Sequence, residues 1–79
     1  MRVTLRLDLG GYLQRQQLTV AQLVGKLNGR VRPRTVQALA GRLTQRVDLQ
    51  MVWEIMQCLN RLTGGSVRVN ELTVEVSEP

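Results

Sequence analysis

Arginine side chains are concentrated in one short segment, GRVRPRTVQALAGRL, which covers residues 29–43. It holds four arginines, at positions 30, 32, 34 and 42, and no acidic residue. A guanidinium group carries a permanent charge and five donors in a fixed fork, which suits phosphate oxygens and the acceptor edge of guanine. The segment therefore indicates either a solvated charged loop or a surface that presents arginines to an anionic partner.

The charge of the whole chain is distributed just as unevenly. The net charge is +5, yet residues 9–47 contain seven basic residues and no acid, whereas the remainder holds four arginines and six acids and sums to −2. This asymmetry is typical of nucleic-acid binders, because release of counterions from phosphates supplies most of the sequence-independent affinity. A basic face that only aids solubility is the alternative explanation.

Residues suited to catalysis are scarce. The chain has no histidine and a single cysteine, Cys58, which lies inside an apolar helical pattern. Cysteine–histidine catalysis and a Cys/His zinc site are therefore excluded, and we expect a buried structural thiol. With no glycine-rich phosphate loop and no cluster of metal ligands, we expect no enzymatic activity, no metal and no cofactor.

The length and hydropathy of the chain indicate one small globular domain spanning residues 1–79. A chain of 79 residues with 43% hydrophobic residues can fold, but its core must be small. No apolar run approaches the roughly 18 residues of a membrane-spanning helix. The N-terminal segment MRVTLRLDL alternates instead of forming the apolar region of a signal peptide, so we expect a cytoplasmic protein.

Both ends of the chain carry the period of two that is typical of β-strands. The apolar residues of the first segment are Val3, Leu5 and Leu7, and those of the last are Leu72, Val74 and Val76. We predict that the two strands pair antiparallel, with Arg2 or Arg6 near Glu75 on the outer face. Pairing within one chain and pairing between two copies both remain open.

Two helices are predicted between residues 9 and 29. The first, about residues 9–16, is weakened by Gly10 and Gly11. The second begins with a capping box, Thr19 with Gln22, next to a possible hydrophobic staple between Leu18 and Leu23. It ends at Asn28-Gly29, because both residues tolerate the left-handed conformation.

The arginine-rich segment predicts a third helix, over residues 33–43. Pro33 suits the first helical position, and the residue before a proline is steered out of the α region. The helical period places one stripe toward the core, formed by Val36, Leu39, Ala40 and Leu43. The opposite side carries Arg34, Ala38 and Gly41.

A fourth helix is predicted from its cap, Asp48, to Gly64-Gly65. Its apolar stripe comprises Leu49, Val52, Ile55, Met56, Leu59 and Leu62. A short turn or helix over residues 69–72 leads into the last strand.

Two short helices joined by a turn, the second with arginines at its start, indicate a helix-turn-helix. The segments QLTVAQLVGKL, GRVRPRTVQALA and QRVDLQMVWEIMQCLNRLTGGSVRVNELTVEV together resemble the lambda-repressor-like (Cro-repressor/XRE-type) DNA-binding family of bacteria and phages. The chain departs from that family at Val20, where Gln is common, and at Arg32, where Ser often caps the helix. The resemblance implies a mostly α fold of four or five short helices with a small two-stranded antiparallel ribbon.

By that resemblance and by the helical projection, five residues are candidates for contacts with base edges: Arg32, Arg34, Thr35, Gln37 and Ala38. Six others are candidates for phosphate contacts, four of them basic: Thr19, Gln22, Lys26, Arg30, Arg42 and Arg46. For each arginine alone, a solvated surface charge is an equally good interpretation.

Met51 and Trp53 allow two interpretations. A small domain usually buries its one tryptophan, so core packing is the simpler one. The other is a dimer contact, since regulators of this family usually bind paired half-sites one helical turn apart.

The sequence thus predicts a non-enzymatic transcriptional regulator, more specifically a repressor, that binds duplex DNA through residues 33–43. The main alternative is a protein-interaction module on the same fold, such as an antitoxin or a phage protein that binds a host protein. RNA binding is a weaker alternative, because Tyr12 and Trp53 are the only aromatic residues.

Overall fold

The chain forms five helices and one two-stranded sheet in a computed structural model, which describes residues 2–78. In chain order the elements are β1 (Arg2–Leu7), α1 (Leu9–Arg15), α2 (Val20–Leu27), α3 (Pro33–Gly41), α4 (Leu49–Thr63), α5 (Val69–Leu72) and β2 (Thr73–Glu78). The predicted fold class, mostly α with a small antiparallel ribbon, is confirmed.

The ends of α2 and α4 follow the predicted capping chemistry. Thr19 accepts a hydrogen bond from the Gln22 amide through its hydroxyl (3.1 Å), and the Gln22 side chain accepts one from the Thr19 amide (2.8 Å). The Asp48 carboxylate accepts from the amides of Gln50 and Met51, the first two donors of α4 within its reach. Asn28 and Gly64 end the two helices in the left-handed conformation, with φ of 50° and 70°.

The terminal strands pair within the chain, antiparallel and in the register Leu5↔Glu75. The prediction that Glu75 pairs with Arg2 or Arg6 is wrong, because Arg6 forms its ion pair with Glu78. Residues directly opposite each other share a face, so Glu75 lies on the face of Leu5.

The apolar face of β1 is covered only at its end, where Leu7 is buried. Val3 and Leu5 are 58% and 56% exposed, whereas Thr4 on the other face is buried. The alternating pattern of residues 3–7 does form a strand, but tertiary packing decides which of its side chains are covered.

Helix α3 ends at Gly41, two residues earlier than predicted. Arg42 is extended (φ −158°), and the chain then runs beside β1, where Leu7 and Thr44 exchange backbone hydrogen bonds of 2.7 and 3.1 Å. Leu43 therefore leaves the helix and is 42% exposed, so its predicted place in the buried stripe is wrong.

The core is one cluster contributed by every helix and by the end of β1. Its fully buried residues include Leu9, Leu23, Leu27, Val36, Cys58 and Leu59. The buried thiol is as predicted, but Leu49 of the predicted α4 stripe is 83% exposed. Trp53 is 53% exposed, so its interpretation as a core residue is wrong.

Gly10 and Gly11, which disfavour the predicted helix α1, both lie where a larger side chain would not fit. A Cβ on Gly10 would collide with the backbone carbonyl of Ala40 in α3, so this glycine permits the close approach of the two helices. A Cβ on Gly11 would collide with the carboxylate of Asp8, which caps α1 by accepting from the Gly11 amide at 3.0 Å.

Candidate nucleic-acid interface

The exposed face of α3 is set by its buried stripe. Val36 and Leu39 are buried, which turns Arg34, Gln37 and Ala38 to the surface and leaves Thr35 half-buried on the flank. The predicted base-reading residues on the helix therefore do share an accessible surface. Ala38 and the exposed Gly41 keep this surface low, so that another macromolecule could approach the backbone closely.

The start of α3 is unusual in its cap. Arg32 occupies the cap position with extended backbone (φ −64°, ψ 137°), and its side chain makes no capping hydrogen bond. Pro33 follows at the first helical position, where a missing N–H is no loss. The Arg32 side chain is thus exposed and remains available to a partner.

A shallow depression of about 310 Å³ lies between the start of α3 and the start of α4. On one side it is lined by Arg30, Val31, Arg32 and Thr35, and on the other by Asp48, Gln50, Met51 and Glu54. The Glu54 carboxylate lies 3.9 Å from the guanidinium of Arg30. The predicted contacts Arg30, Arg32 and Thr35 are therefore brought together, next to two carboxylates.

Nothing in the sequence places Asp48 or Glu54 beside the start of α3. Asp48 fits a helix cap, and Glu54 follows Arg30 by 24 positions. No local pattern reports that separation, since it depends on how α4 packs against the rest of the domain. A carboxylate here weakens the attraction of the arginines for a polyanion.

Three of the four basic residues predicted to contact phosphates are exposed and have no ion pair among residues 2–78. Lys26, Arg42 and Arg46 are exposed, and over residues 2–78 the ion pairs are Arg6 with Glu78 and Arg30 with Glu54. Within that range, Lys26, Arg32, Arg34, Arg42 and Arg46 therefore have no carboxylate partner. Of the predicted arginine contacts, Arg30 alone is held by an acid.

Thr19 and Gln22 are engaged with each other in the capping box. The Gln22 oxygen accepts from the Thr19 amide, and the Thr19 hydroxyl lies 3.2 Å from the same oxygen. This leaves the amide NH₂ of Gln22 and the first backbone N–H groups of α2 to meet a phosphate. Their predicted role is thus compatible with the cap, but only through these donors.

Met51 and Trp53 lie on different sides of α4, because residues two apart on a helix point about 200° from each other. Met51 is half-buried and lines the depression beside α3. Trp53 is exposed and lies one turn from Leu49, away from that depression. The structure does not bring the two predicted dimer contacts into one surface.

The side chains of this surface mainly donate hydrogen bonds and carry positive charge. Residues 2–78 contain no group of three or more His, Cys, Asp or Glu that could hold a metal ion.

The phenol of Tyr12 belongs to the core and not to this surface. Burial raises the pKa of the phenol, and the nearby charge of Glu71 acts in the same direction. The hydrogen bond with Thr63 and the charge of Arg15 lower this pKa by smaller amounts. No helix in the described part is long and apolar enough to cross a membrane.

Comparison with known proteins yields no matching family model, no similar curated protein and no similar solved structure.

Proposed function

We propose that this protein is a sequence-specific duplex-DNA-binding regulator of the lambda-repressor-like type, which inserts α3 into the major groove. Repression of transcription and a cytoplasmic location belong to the same proposal. The observation that carries it is the accessible face of α3, where Arg32, Arg34 and Gln37 are exposed beside a low surface at Ala38.

The chemistry of these side chains suits base edges. Arginine donates in bidentate fashion to guanine O6 and N7, glutamine pairs with adenine, and small methyl groups contact the thymine methyl. Lys26, Arg42 and Arg46 are exposed and have no acidic partner among residues 2–78, as phosphate-binding residues need to be. The N-terminus of α2 adds backbone donors for one more phosphate.

The direct test starts with selection of bound duplexes from a random pool, which supplies a site for quantitative titration. Arg34→Ala is then expected to weaken binding to the selected site by about 1–3 kcal/mol and to relax base preference at one position. Fluorescence anisotropy against the selected site and single-base variants measures both effects.

Arg46→Ala is expected to weaken binding to all duplexes alike and to reduce the slope of log K against log[salt] by about 1. Arg61→Ala is the matched control, because it removes the same charge from an exposed position near the end of α4. Wild-type binding at low salt by both Arg34→Ala and Arg46→Ala would show that this face does not bind DNA. A wild-type chain without measurable affinity for any duplex would contradict the function itself.

A further inference from the structure

The outer edge of β1, on the side away from β2, carries backbone groups without a partner strand. Leu7 exchanges both backbone hydrogen bonds with Thr44, so its N–H and C=O point away from β2. Because antiparallel ladders alternate, the N–H and C=O groups of Val3 and Leu5 point to the same side. No strand or isolated bridge within residues 2–78 pairs with Val3 or Leu5 on that side. These groups are therefore free to pair with an added strand.

Exposed apolar side chains lie next to this edge. A groove of about 200 Å³ lies between β1, the segment after α3, the start of α4 and α5. Leu5, Leu49 and Val69 line it and are each more than half exposed. Val3 shares the face of Leu5 and is also more than half exposed. A strand added at the edge places every second side chain on this face, where apolar side chains are partly covered.

The length of the free edge limits what can pair with it. Thr44 already occupies the edge at Leu7, so an added strand begins opposite Leu5 and extends toward the start of β1. Its contacts thus run along residues 2–5, RVTL. Residues directly opposite each other in an antiparallel pair share a face, so the positions opposite Val3 and Leu5 favour apolar side chains.

Charge determines the position opposite Arg2. This arginine is exposed and has no ion pair among residues 2–78, so an acidic residue opposite it is favourable. A second copy of this chain meets the edge less well. If Val3 of each copy pairs with Leu5 of the other, Arg2 lies opposite Arg6, and like charges directly opposite are destabilising. The net charge of +5 likewise favours an acidic partner over another copy of the chain.

We propose that the free edge of β1 binds an extended segment of another protein by antiparallel strand addition, and that this segment has the pattern apolar–any–apolar–acid. The two apolar residues lie opposite Leu5 and Val3, and the acid lies opposite Arg2. Backbone hydrogen bonds supply the affinity, and the side chains of the pattern supply the specificity. The edge lies outside α2 and α3, so this inference goes beyond the DNA-binding proposal and does not rest on it.

Titration of the ¹⁵N-labelled full chain with synthetic peptides tests the proposal without DNA. The probe is Ser-Val-Thr-Val-Glu-Ser with blocked ends, and its matched control carries Lys in place of Glu. We expect the acidic peptide to bind with a dissociation constant on the order of 100 μM and about threefold to tenfold more tightly than the lysine peptide. The shifted amide signals should be those of β1 around Val3 and Leu5, and the signals of α3 should stay in place.

Charge reversal at the edge tests the acidic position. Arg2→Glu is expected to invert the preference, so that the lysine peptide binds more tightly than the acidic one by about threefold to tenfold. Arg61→Glu makes the same change at an exposed position near the end of α4 and should leave the preference as in the wild type. Circular dichroism verifies that both variants are folded, as expected for substitutions of exposed residues.

Methylation of the peptide backbone separates strand addition from simple attraction. In the proposed pairing, the amides of both peptide valines donate to the C=O groups of Val3 and Leu5, whereas the amide of the threonine between them points away. N-methylation of both valines is therefore expected to weaken binding by roughly tenfold or more, and N-methylation of the threonine to change it by less than about twofold.

Amide hydrogen exchange locates the occupied edge. The acidic peptide should protect the amides of Val3 and Leu5 and leave those of Glu75 and Ser77, on the outer edge of β2, exchanging as before.

Four results would overturn the proposal. The first is no binding of the acidic peptide at about 1 mM. The second is equal binding of the acidic and lysine peptides, and the third is binding that N-methylation of the valines leaves unchanged. The fourth is protection of Val3 and Leu5 that rises with the concentration of the chain alone, which would make a second copy the occupant. Because no measurement contains DNA, failure of the DNA-binding proposal leaves all of them interpretable.

Discussion

At the scale of single residues, the basic surface around α3 also contains two carboxylates, which lie beside its arginines. The depression at its start places Arg30, Arg32 and Thr35 opposite Asp48 and Glu54. The ion pair between Arg30 and Glu54 is long, at 3.9 Å, and the arginine is about half exposed, so the pair contributes little to stability. The effect of Glu54 on the binding of a polyanion is larger than its effect on stability. Its carboxylate neutralises part of the charge of Arg30 and also repels phosphate.

Glu54→Gln is therefore expected to strengthen binding to duplex DNA by about threefold to tenfold and to steepen the salt dependence by up to about 1. Removal of the carboxylate frees Arg30 and removes a repulsive charge. Anisotropy titrations at several salt concentrations measure both quantities. Glu71→Gln, an equivalent charge change at an exposed position of α5, should leave them unaltered, and an equal gain in that control would argue against a local effect of Glu54.

The raised pKa of Tyr12 predicts how the stability of the fold depends on pH. Burial raises the pKa of its phenol above the ordinary value of 10.0, with the charge of Glu71 acting in the same direction. Because the folded-state pKa exceeds the unfolded one, its contribution to stability is complete below about pH 10 and is lost as the pH rises further. Tyr12 is the only tyrosine, so absorbance near 295 nm should report one ionisation, above pH 10 in the folded chain and near 10 in urea. Ionisation at the same pH in both states would contradict the burial argument.

At the scale of elements, local chemistry decides most helix ends, whereas contacts between residues far apart in the chain decide the end of α3 and the packing of the helices. The caps at Thr19, Asn28, Asp48 and Gly64 were predictable, since each involves residues within one turn. The end of α3 was not, because the bonds that replace its next turn come from Leu7, distant in sequence.

The contact of α1 with α3 gives a test at this scale. Gly10→Ala should destabilise the fold by about 1–3 kcal/mol, because the methyl group meets the carbonyl of Ala40 and the helices must separate. Gly25→Ala in α2 is the matched control: its Cβ meets nothing within 4 Å, so the variant should be about 0.5–1 kcal/mol more stable. Urea unfolding gives both values, and a stabilised Gly10→Ala would rule out the close approach.

At the scale of the whole molecule, a chain of 79 residues is stabilised by only about 4–12 kcal/mol, so its single core has little reserve. The exposure of large apolar side chains such as Leu5, Leu49 and Trp53 is therefore conspicuous, because a small domain gains stability by burying them.

Leu59→Ala is expected to lower the free energy of unfolding by about 2–5 kcal/mol, since Leu59 is fully buried and its truncation leaves a cavity. Leu49→Ala makes the same change on the same helix at an 83% exposed position, so it should change stability by less than about 0.5 kcal/mol. Thermal unfolding followed by circular dichroism compares the two. Equal losses would mean that α4 packs through a different face.

The sequence alone determined the fold class, the start of each main helix, three of their four ends and the pairing direction of the terminal strands. These features depend on short-range chemistry: hydrophobic period, capping side chains and residues that tolerate positive φ. It also determined which face of α3 carries Arg34, Gln37 and Ala38, because Val36 and Leu39 leave no other face for the core.

Tertiary structure alone decided four things: that Leu43, Leu49 and Trp53 are exposed, that Arg6 meets Glu78, that Glu54 meets Arg30, and that Val3 and Leu5 are left more than half exposed. In each case the deciding contact joins residues far apart in the chain, or depends on how much surface a small core can cover. Periodicity gives the direction of a side chain relative to its own helix or strand, but only the packing of all elements decides whether anything lies in that direction.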